Sequence, residues 1–193
     1  MASLDIIKKN FVESKDKKKF IREIEKKDDH SSGDCEFLAL IYLAGVKDLI
    51  EVNEKRGRRY LAEGVESGSS SCMVALGDLY ANDEKSEAKA EVLFRSALEA
   101  KDYRAANSLG IVAMKKNKLD EAIKFFKIGS ENNIPAARNN FLIATLEKAN
   151  LALGLAHEAV RTSLNMFVKS PEKKVPEKNE KEEEKKEPLE DVE

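Results

Sequence analysis

Residues able to perform acid–base or metal chemistry are few and scattered. His30 lies in a polar Asp-Asp-His-Ser-Ser segment and His157 lies far along the chain. Catalysis needs groups that converge, and the sequence holds no nucleophile elbow, phosphate-binding loop, zinc-binding helix motif or dinucleotide fingerprint. The acidic pairs Asp28-Asp29 and Asp83-Glu84 are typical of helix ends and loops, where carboxylates complement the helix dipole or are solvated. We therefore expect a protein that is not an enzyme and that uses neither a cofactor nor a metal.

Two cysteines, Cys35 and Cys72, stand alone without a CxxC pair or a nearby histidine, so a zinc site is not indicated. The sequence has no Asn-x-Ser/Thr glycosylation site, no signal-peptide pattern at its N-terminus and no apolar run of the ~18 residues that span a membrane. We predict buried, reduced thiols in a cytoplasmic protein, with the nucleus as the alternative and no membrane partner. A disulfide between the two cysteines is the rival interpretation.

Charge argues against strong nucleic-acid binding. Lys and Arg total 34, Asp and Glu total 36, and the net charge of -2 gives no general attraction to phosphate backbones. Two short basic clusters, Lys15 to Lys19 and Arg56 with Arg58 and Arg59, are typical of solvated helix surfaces. The alternative is that they and a charged tail bind RNA or a ribonucleoprotein, which usually requires a larger positive surface with stacking aromatic residues.

Composition favours helices. Aromatic residues make up 6% of the chain and Trp is absent, so the core must be aliphatic and rich in alanine. From residue 170 onward, three of the four prolines accompany runs of mixed charge. We predict a disordered tail over 170–193, which serves either as a solubilising spacer or as an acidic docking motif.

A repeat of 32 to 38 residues organises the middle of the chain. Its anchors begin at Leu38, Leu76, Leu109 and Phe141, and the first three share an LGxxY-like pattern. A second pattern follows each of the first three anchors at the offsets that trace one helix face: Gly57, Tyr60, Leu61, Gly64 and Val65; Ala90, Leu93, Phe94, Ala97 and Leu98; Ala122, Phe125, Phe126, Gly129 and Ser130.

Each repeat is therefore predicted to form an antiparallel helical hairpin. Small residues such as Gly77 and Gly110 let one helix backbone approach the next. Gly68 is expected to end one helix, Asp102 and Asp120 to cap others, and Pro135 to lie in a first turn.

The predicted organisation has three parts. Two capping helices occupy 1–30, with apolar stripes at Leu4, Ile7 and Phe11 and at Phe20, Ile21 and Ile24; about four hairpins occupy 31–169; and the charged tail follows at 170–193. The fourth hairpin is the least regular, because leucine replaces the anchor glycine at Leu142. Its second helix is expected somewhere in 151–167.

These residues resemble the Sel1-like repeat family, which is related to the tetratricopeptide repeats. The match rests on Ala105 with Leu109-Gly110, on Leu76-Gly77 with Tyr80, on Tyr42 and Gly45, and on the closing glycine Gly68. Lys101 and Asn133 stand where the second and third repeats would have that glycine. The resemblance implies an all-α, right-handed solenoid of stacked hairpins that acts in protein–protein interaction.

The resemblance also implies that the first helix of each hairpin lines a concave groove. Residues just past the LG position and one turn later should face it. The candidate binding residues are Leu40, Leu43, Asp78, Ala81, Asn107, Ile111, Met114, Asn139, Ile143 and Leu146. Either a partner's amphipathic helix or extended peptide covers this apolar surface, or one of the chain's own terminal helices does, or the stack curves tightly enough to close it.

A carboxylate-gripping mode is not expected, because the positions used for it by tetratricopeptide cochaperones hold no cation here. Asn107 and Asn139 could hold a peptide backbone through amide hydrogen bonds, or could simply be solvated. The sequence leaves the oligomeric state open.

Overall fold

A computed structural model describes residues 3–83 and 86–168. Over these residues the chain is helical, and the only β-type pairing is an isolated bridge between Val46 and Ile50. The helices are α1 (Leu4–Glu13), α2 (Lys17–Glu25), α3 (Ser32–Ala44), α4 (Glu54–Glu66), α5 (Ser70–Ala81), α6 (Glu87–Glu99), α7 (Arg104–Lys115), α8 (Leu119–Glu131) and α9 (Pro135–Val168). The predicted tail at 170–193 lies outside the described residues.

Three helical hairpins, α3 with α4, α5 with α6 and α7 with α8, stack in sequence order. The first helices contact one another between repeats, α3 with α5 and α5 with α7, whereas α4 and α6 make no such contact within the described residues. First helices therefore lie on the inner surface of the stack and second helices on its outer surface. This is the α-solenoid of stacked hairpins that the repeat predicts.

Glycines at the helix crossings are steric requirements, as predicted. A Cβ atom added at Gly77 would lie 2.5 Å from Phe94 Cε1, and one added at Gly110 would lie 2.4 Å from Phe126 Cε1. In the first hairpin, a Cβ at Gly64 would lie 2.3 Å from the Cys72 sulfur. The repeat thus pairs a missing side chain on one helix with a ring or thiol on the next.

Helix ends follow local polar chemistry. Ser31 and Asp34 form a reciprocal capping box at the start of α3, and the side chains of Asn53 and Ser69 cap α4 and α5. Gly68 follows α4 with φ +78°, the left-handed conformation expected of a closing glycine.

The repeats that lack the closing glycine keep its backbone conformation. Lys101 has φ +65° and Asn133 has φ +61°, close to the value at Gly68. The turn geometry is therefore set by the packing of the hairpins, even where the residue type disfavours it.

Two N-terminal helices cap the stack, as predicted. Helices α1 and α2 contact each other and α3, and their apolar stripes join the core of the first hairpin. The Phe11 ring lies edge-on to Phe37 at 5.2 Å between centroids, and Phe20 meets Phe37 at 6.1 Å. Lys17 to Lys19 of the N-terminal basic cluster lie in the first turn of α2, whose N-cap is Asp16.

The fourth repeat differs from its prediction. Helix α9 runs without a break from Pro135 to Val168, so the expected second helix within 151–167 is the continuation of the first. The residues that the structure describes therefore form three stacked hairpins. No proline interrupts this stretch, and the Leu and Ala residues around Gly154 are good helix formers. The chain divides into two compact units, Met1–Leu151 and Ala152–Glu193.

Two minor capping predictions also differ. Asp120 lies inside the first turn of α8, where Lys118 is the N-cap, and its carboxylate pairs with the Lys148 ammonium at 2.5 Å. Asp102 precedes the N-cap of α7 and accepts a hydrogen bond from the Arg104 backbone N–H at 3.3 Å. Pro135 begins α9, as expected.

Candidate binding groove

The inner surface of the first hairpins and the adjoining part of α9 carries exposed apolar side chains, and we call this surface the inner groove. Leu40, Ile111, Ile143 and Leu146 are between 40% and 65% exposed. Asp78 and Asn139 are exposed beside them. These residues come from α3, α5, α7 and α9. Asp78 and Ile111 line one cavity, and Leu40 and Leu43 line another.

The four other candidate residues, Leu43, Ala81, Asn107 and Met114, are half-buried. Leu43 lies over Gly57 of α4, where an added Cβ would come within 2.5 Å of the leucine Cγ. Met114 packs against the apolar cluster of the third hairpin. The Asn107 side-chain carbonyl accepts a hydrogen bond from the Asn140 amide at 2.9 Å.

Polar groups cross between neighbouring first helices along the inner groove. The Ser108 hydroxyl donates to Asp78 Oδ1 at 3.0 Å, and the Lys115 ammonium donates to the Ala81 carbonyl at 2.9 Å. Although the Asp78 residue is exposed, partial desolvation of its carboxyl raises the pKa of that group, while the Ser108 hydrogen bond and the Arg104 charge oppose the rise. The apolar residues of the groove are therefore flanked by polar groups that already have protein partners.

Arg104 is a groove residue that the sequence analysis missed. Its Nε and Nη2 donate to the Asp102 carboxylate at 2.9 and 2.6 Å, and Nη2 also donates to the Ser71 hydroxyl at 2.9 Å. These hydrogen bonds hold the pKa of Asp102 below its ordinary value. Arg104 lies seven residues before Ile111, a helical spacing that could have revealed it. Since Asp102 already pairs with the guanidinium, Arg104 is no free cation for a partner's carboxylate.

The chain's own first helix borders the α3 end of the inner groove. Leu4 and Lys8 of α1 line a cavity of about 260 Å³ together with Leu40, Leu43 and Arg104. A second cavity of about 240 Å³ lies further along, between α5 and α7, and includes Asp78, Ile111 and Lys115. Leu40 at the α3 end is 46% exposed, so its side chain is accessible beside α1, as those of Ile111, Ile143 and Leu146 are further along.

The two histidines differ in their surroundings. His30 is largely buried, with Nδ1 2.5 Å from the Glu63 carboxylate and Nε2 3.1 Å from the Ile24 carbonyl oxygen. It therefore ties the segment after α2 to α4. His157 is exposed on α9.

Both cysteine side chains are buried and unpaired. Burial raises the pKa of the Cys35 thiol to about 12 and that of the Cys72 thiol to about 11. A high thiol pKa suits a structural residue and not a nucleophile. Within the described residues, no group of three or more His, Cys, Asp or Glu side chains is placed to hold a metal ion.

The basic cluster on α4 is occupied by contacts within the chain. Arg56 donates to the Tyr42 hydroxyl at 2.5 Å, and that hydroxyl donates to Glu25 at 2.5 Å. Arg58 pairs with Glu54 at 2.6 Å, while Arg59 lies over the Tyr60 ring at 5.0 Å. Arginines engaged in this way form a weaker phosphate-binding surface than free cations would.

Comparison with solved structures identifies the fold. A scan against protein-family models and a search of curated proteins both find no match. The chain is similar to the protective antigen c5321 of uropathogenic Escherichia coli, which displays an SLR fold. The TM-score is 0.62 at 16% identity, and the match covers 75% of this chain and 33% of the antigen. It is also similar to a Sel1 repeat protein from Oxalobacter formigenes, with a TM-score of 0.56, 16% identity and coverage of 69% and 58%.

A variant of MamA gives a TM-score of 0.51 at 18% identity, with 84% of this chain and 88% of that chain covered. Of the other two structures, the chain spans a third of c5321 and somewhat more than half of the Oxalobacter protein. The fold is that of Sel1-like and tetratricopeptide-like repeat proteins, which confirms the resemblance of the LGxxY-like repeats. In the part of the chain that the structure describes, no helix has both the length and the apolar character needed to cross a bilayer.

Proposed function

We propose that this chain is a non-catalytic adaptor that binds a helix or an extended segment of another protein in the inner groove. The observation that carries the proposal is the row of exposed apolar side chains on the inner surface, among them Ile111 and Ile143. Stacked-hairpin solenoids present extended concave surfaces of this kind to protein partners. Apolar residues flanked by polar groups are the usual anatomy of a protein–protein interface.

The candidate binding residues have two roles in this proposal. Leu40, Ile111, Ile143 and Leu146 contact the apolar side of the partner. Asp78 and Asn139 contact its polar groups, and the half-buried Leu43, Asn107 and Met114 support the floor of the groove.

The proposal includes the absence of catalysis and of a cofactor, since His30 makes contacts within the fold, the two cysteines are buried, and His157 is a helix-surface residue. It places the protein in a reducing compartment, the cytoplasm or alternatively the nucleus, because Cys35 and Cys72 are unpaired thiols. The RNA-binding alternative is less well supported, because the α4 arginines already contact Glu25, Glu54, Tyr42 and Tyr60.

An affinity pull-down with mass spectrometry tests the groove. Ile111→Asp and Ile143→Asp place a carboxylate among apolar contacts, and each is expected to weaken partner binding more than tenfold, since an unpaired buried charge is costly. Val92→Asp is the matched control, because Val92 is 64% exposed on α6, an outer helix, against 59% for Ile143. Loss of the same partners from both groove variants, with their retention by the control, supports the proposal.

An unchanged partner set in both groove variants would refute it. The same pull-down at increasing salt separates the RNA alternative. Binding through phosphate contacts weakens steeply with salt, whereas apolar groove binding persists.

A further inference from the structure

Helix α9 carries a seven-residue pattern on one exposed face, which we call the α9 seam. Leu146, Leu153 and Val160 recur every seven residues, and Ala149, Ala156 and Ser163 follow each of them after three. All six side chains are exposed. Alternating spacings of three and four, here over the 18 residues from Leu146 to Ser163, are the spacing at which one helix packs along another.

The charged residues of this stretch avoid the α9 seam and its flanks. Between 142 and 164, the four charged side chains are Glu147, Lys148, Glu158 and Arg161. On the heptad numbering set by Leu146 they occupy the outward b, c and f positions. The flanking positions hold uncharged residues, including alanine at Ala152 and Ala159, which permits close approach of a second helix.

The order of large and small residues identifies the occupant of the α9 seam. If two copies of α9 pair antiparallel about a two-fold axis, each large residue faces a small one. Leu146 then lies opposite Ser163, Leu153 opposite Ala156, and Val160 opposite Ala149. A parallel pair would instead stack alanine on alanine and leave voids, which are costly in a packed interface.

We propose that the chain forms a homodimer through antiparallel pairing of α9 along this seam. The pattern is self-complementary, as a two-fold interface requires. Pairing buries leucine and valine side chains that are otherwise exposed on α9. It also stabilises the helix itself, because a helix without packing partners is only marginally stable in water.

Analytical ultracentrifugation of the full chain, from micromolar to near-millimolar concentration, tests the dimer. Leu153→Glu and Val160→Glu each place two carboxylates in the symmetric seam and are expected to raise the dimer dissociation constant by roughly a hundredfold or more. Leu155→Glu is the matched control. Leu155 is 61% exposed, against 57% for Leu153 and 60% for Val160, but lies off the seam.

A dimer that weakens in the two seam variants and persists in the control supports the proposal. A natural chain that stays monomeric throughout the concentration range overturns it, as does a dimer that all three variants affect equally. Far-UV circular dichroism of each variant establishes that the helices are retained.

Cysteine crosslinking tests the antiparallel orientation with milder substitutions. Cys35 and Cys72 are buried and unreactive in the folded chain, so Leu153→Cys and Ala156→Cys each add one accessible thiol. Mixed crosslinks between the two variants should form faster than crosslinks of either variant with itself. Faster self-crosslinking overturns the antiparallel arrangement.

The dimer and the inner groove can fail separately. Leu146 belongs to both surfaces and is left unchanged in these experiments. Leu153 and Val160 lie beyond the groove candidates, and the groove variant Ile111→Asp lies on α7, away from the seam.

Discussion

Replacing Gly77 with alanine tests the steric basis of the repeat. Gly77 lies on α5 where the Phe94 ring of α6 crosses it, and Phe94 is fully buried. An added Cβ would lie 2.5 Å from Phe94 Cε1 and 2.9 Å from Cδ1. Because carbon atoms pack at about 3.5 to 4.0 Å, the ring would have to move by about 1 Å within a filled core.

Two opposing effects set the magnitude. Overpacking of this kind typically costs about 1–3 kcal/mol. Alanine is favoured over glycine in a helix by about 1 kcal/mol, which offsets part of that cost. We therefore expect Gly77→Ala to lower the free energy of unfolding by about 1 kcal/mol.

A double-mutant cycle in urea, followed by circular dichroism, isolates the contact. Phe94→Val removes the Cδ1, Cε1 and Cζ atoms that crowd position 77. In that background Gly77→Ala should be neutral or stabilising, so that the coupling free energy is about 1 kcal/mol or more. Gly154→Ala is the control, since no atom lies within 4 Å of its added Cβ. Equal destabilisation by Gly77→Ala in both Phe94 backgrounds would refute the reasoning.

The remaining predictions concern the closing turns and the thiols. Lys101→Gly should raise the free energy of unfolding by about 0.5–1 kcal/mol, because glycine adopts a positive φ without the steric strain of a side chain and Lys101 is exposed. A lower urea midpoint would contradict this. The raised pKa values of Cys35 and Cys72 mean that the folded chain holds these protons more tightly than the unfolded chain, whose thiols have an ordinary pKa of 9.0. Stability should therefore fall as the pH rises from 9.0 toward about 11, and Cys72→Ala should make the decline in urea midpoint shallower; an unchanged slope would count against this cause.

The hairpins could be predicted from sequence because their contacts require particular residue sizes. Gly77 and Gly110 mark the places where Phe94 and Phe126 cross, and these pairs recur at the repeat spacing. The closing turns show the limit of such patterns. Lys101 adopts the conformation of Gly68 because hairpin packing imposes it, so the residue type alone would have suggested a different backbone.

Other features depend on tertiary contacts, which the local sequence pattern does not predict. The stretch after Leu146 has strong helix formers whether it turns back or continues, so helix propensity could not decide between a fourth hairpin and the long α9. The position of α1 beside Leu40 and the pairing of Arg104 with Asp102 arise from tertiary packing. Helical spacing predicts that Ile111 and Ile143 share one face of the first helices; both side chains are exposed, and their contact with a partner stays a prediction.

Hydrogen bonds between neighbouring first helices affect the entropic cost of binding the proposed partner. Arg104 with Ser71, Ser108 with Asp78, and Asn140 with Asn107 act as rungs that fix adjacent repeats before any ligand arrives. Alignment of the repeats is then completed during folding, which reduces the entropic cost of association. An inner groove preorganised in this way favours rigid docking with little backbone movement.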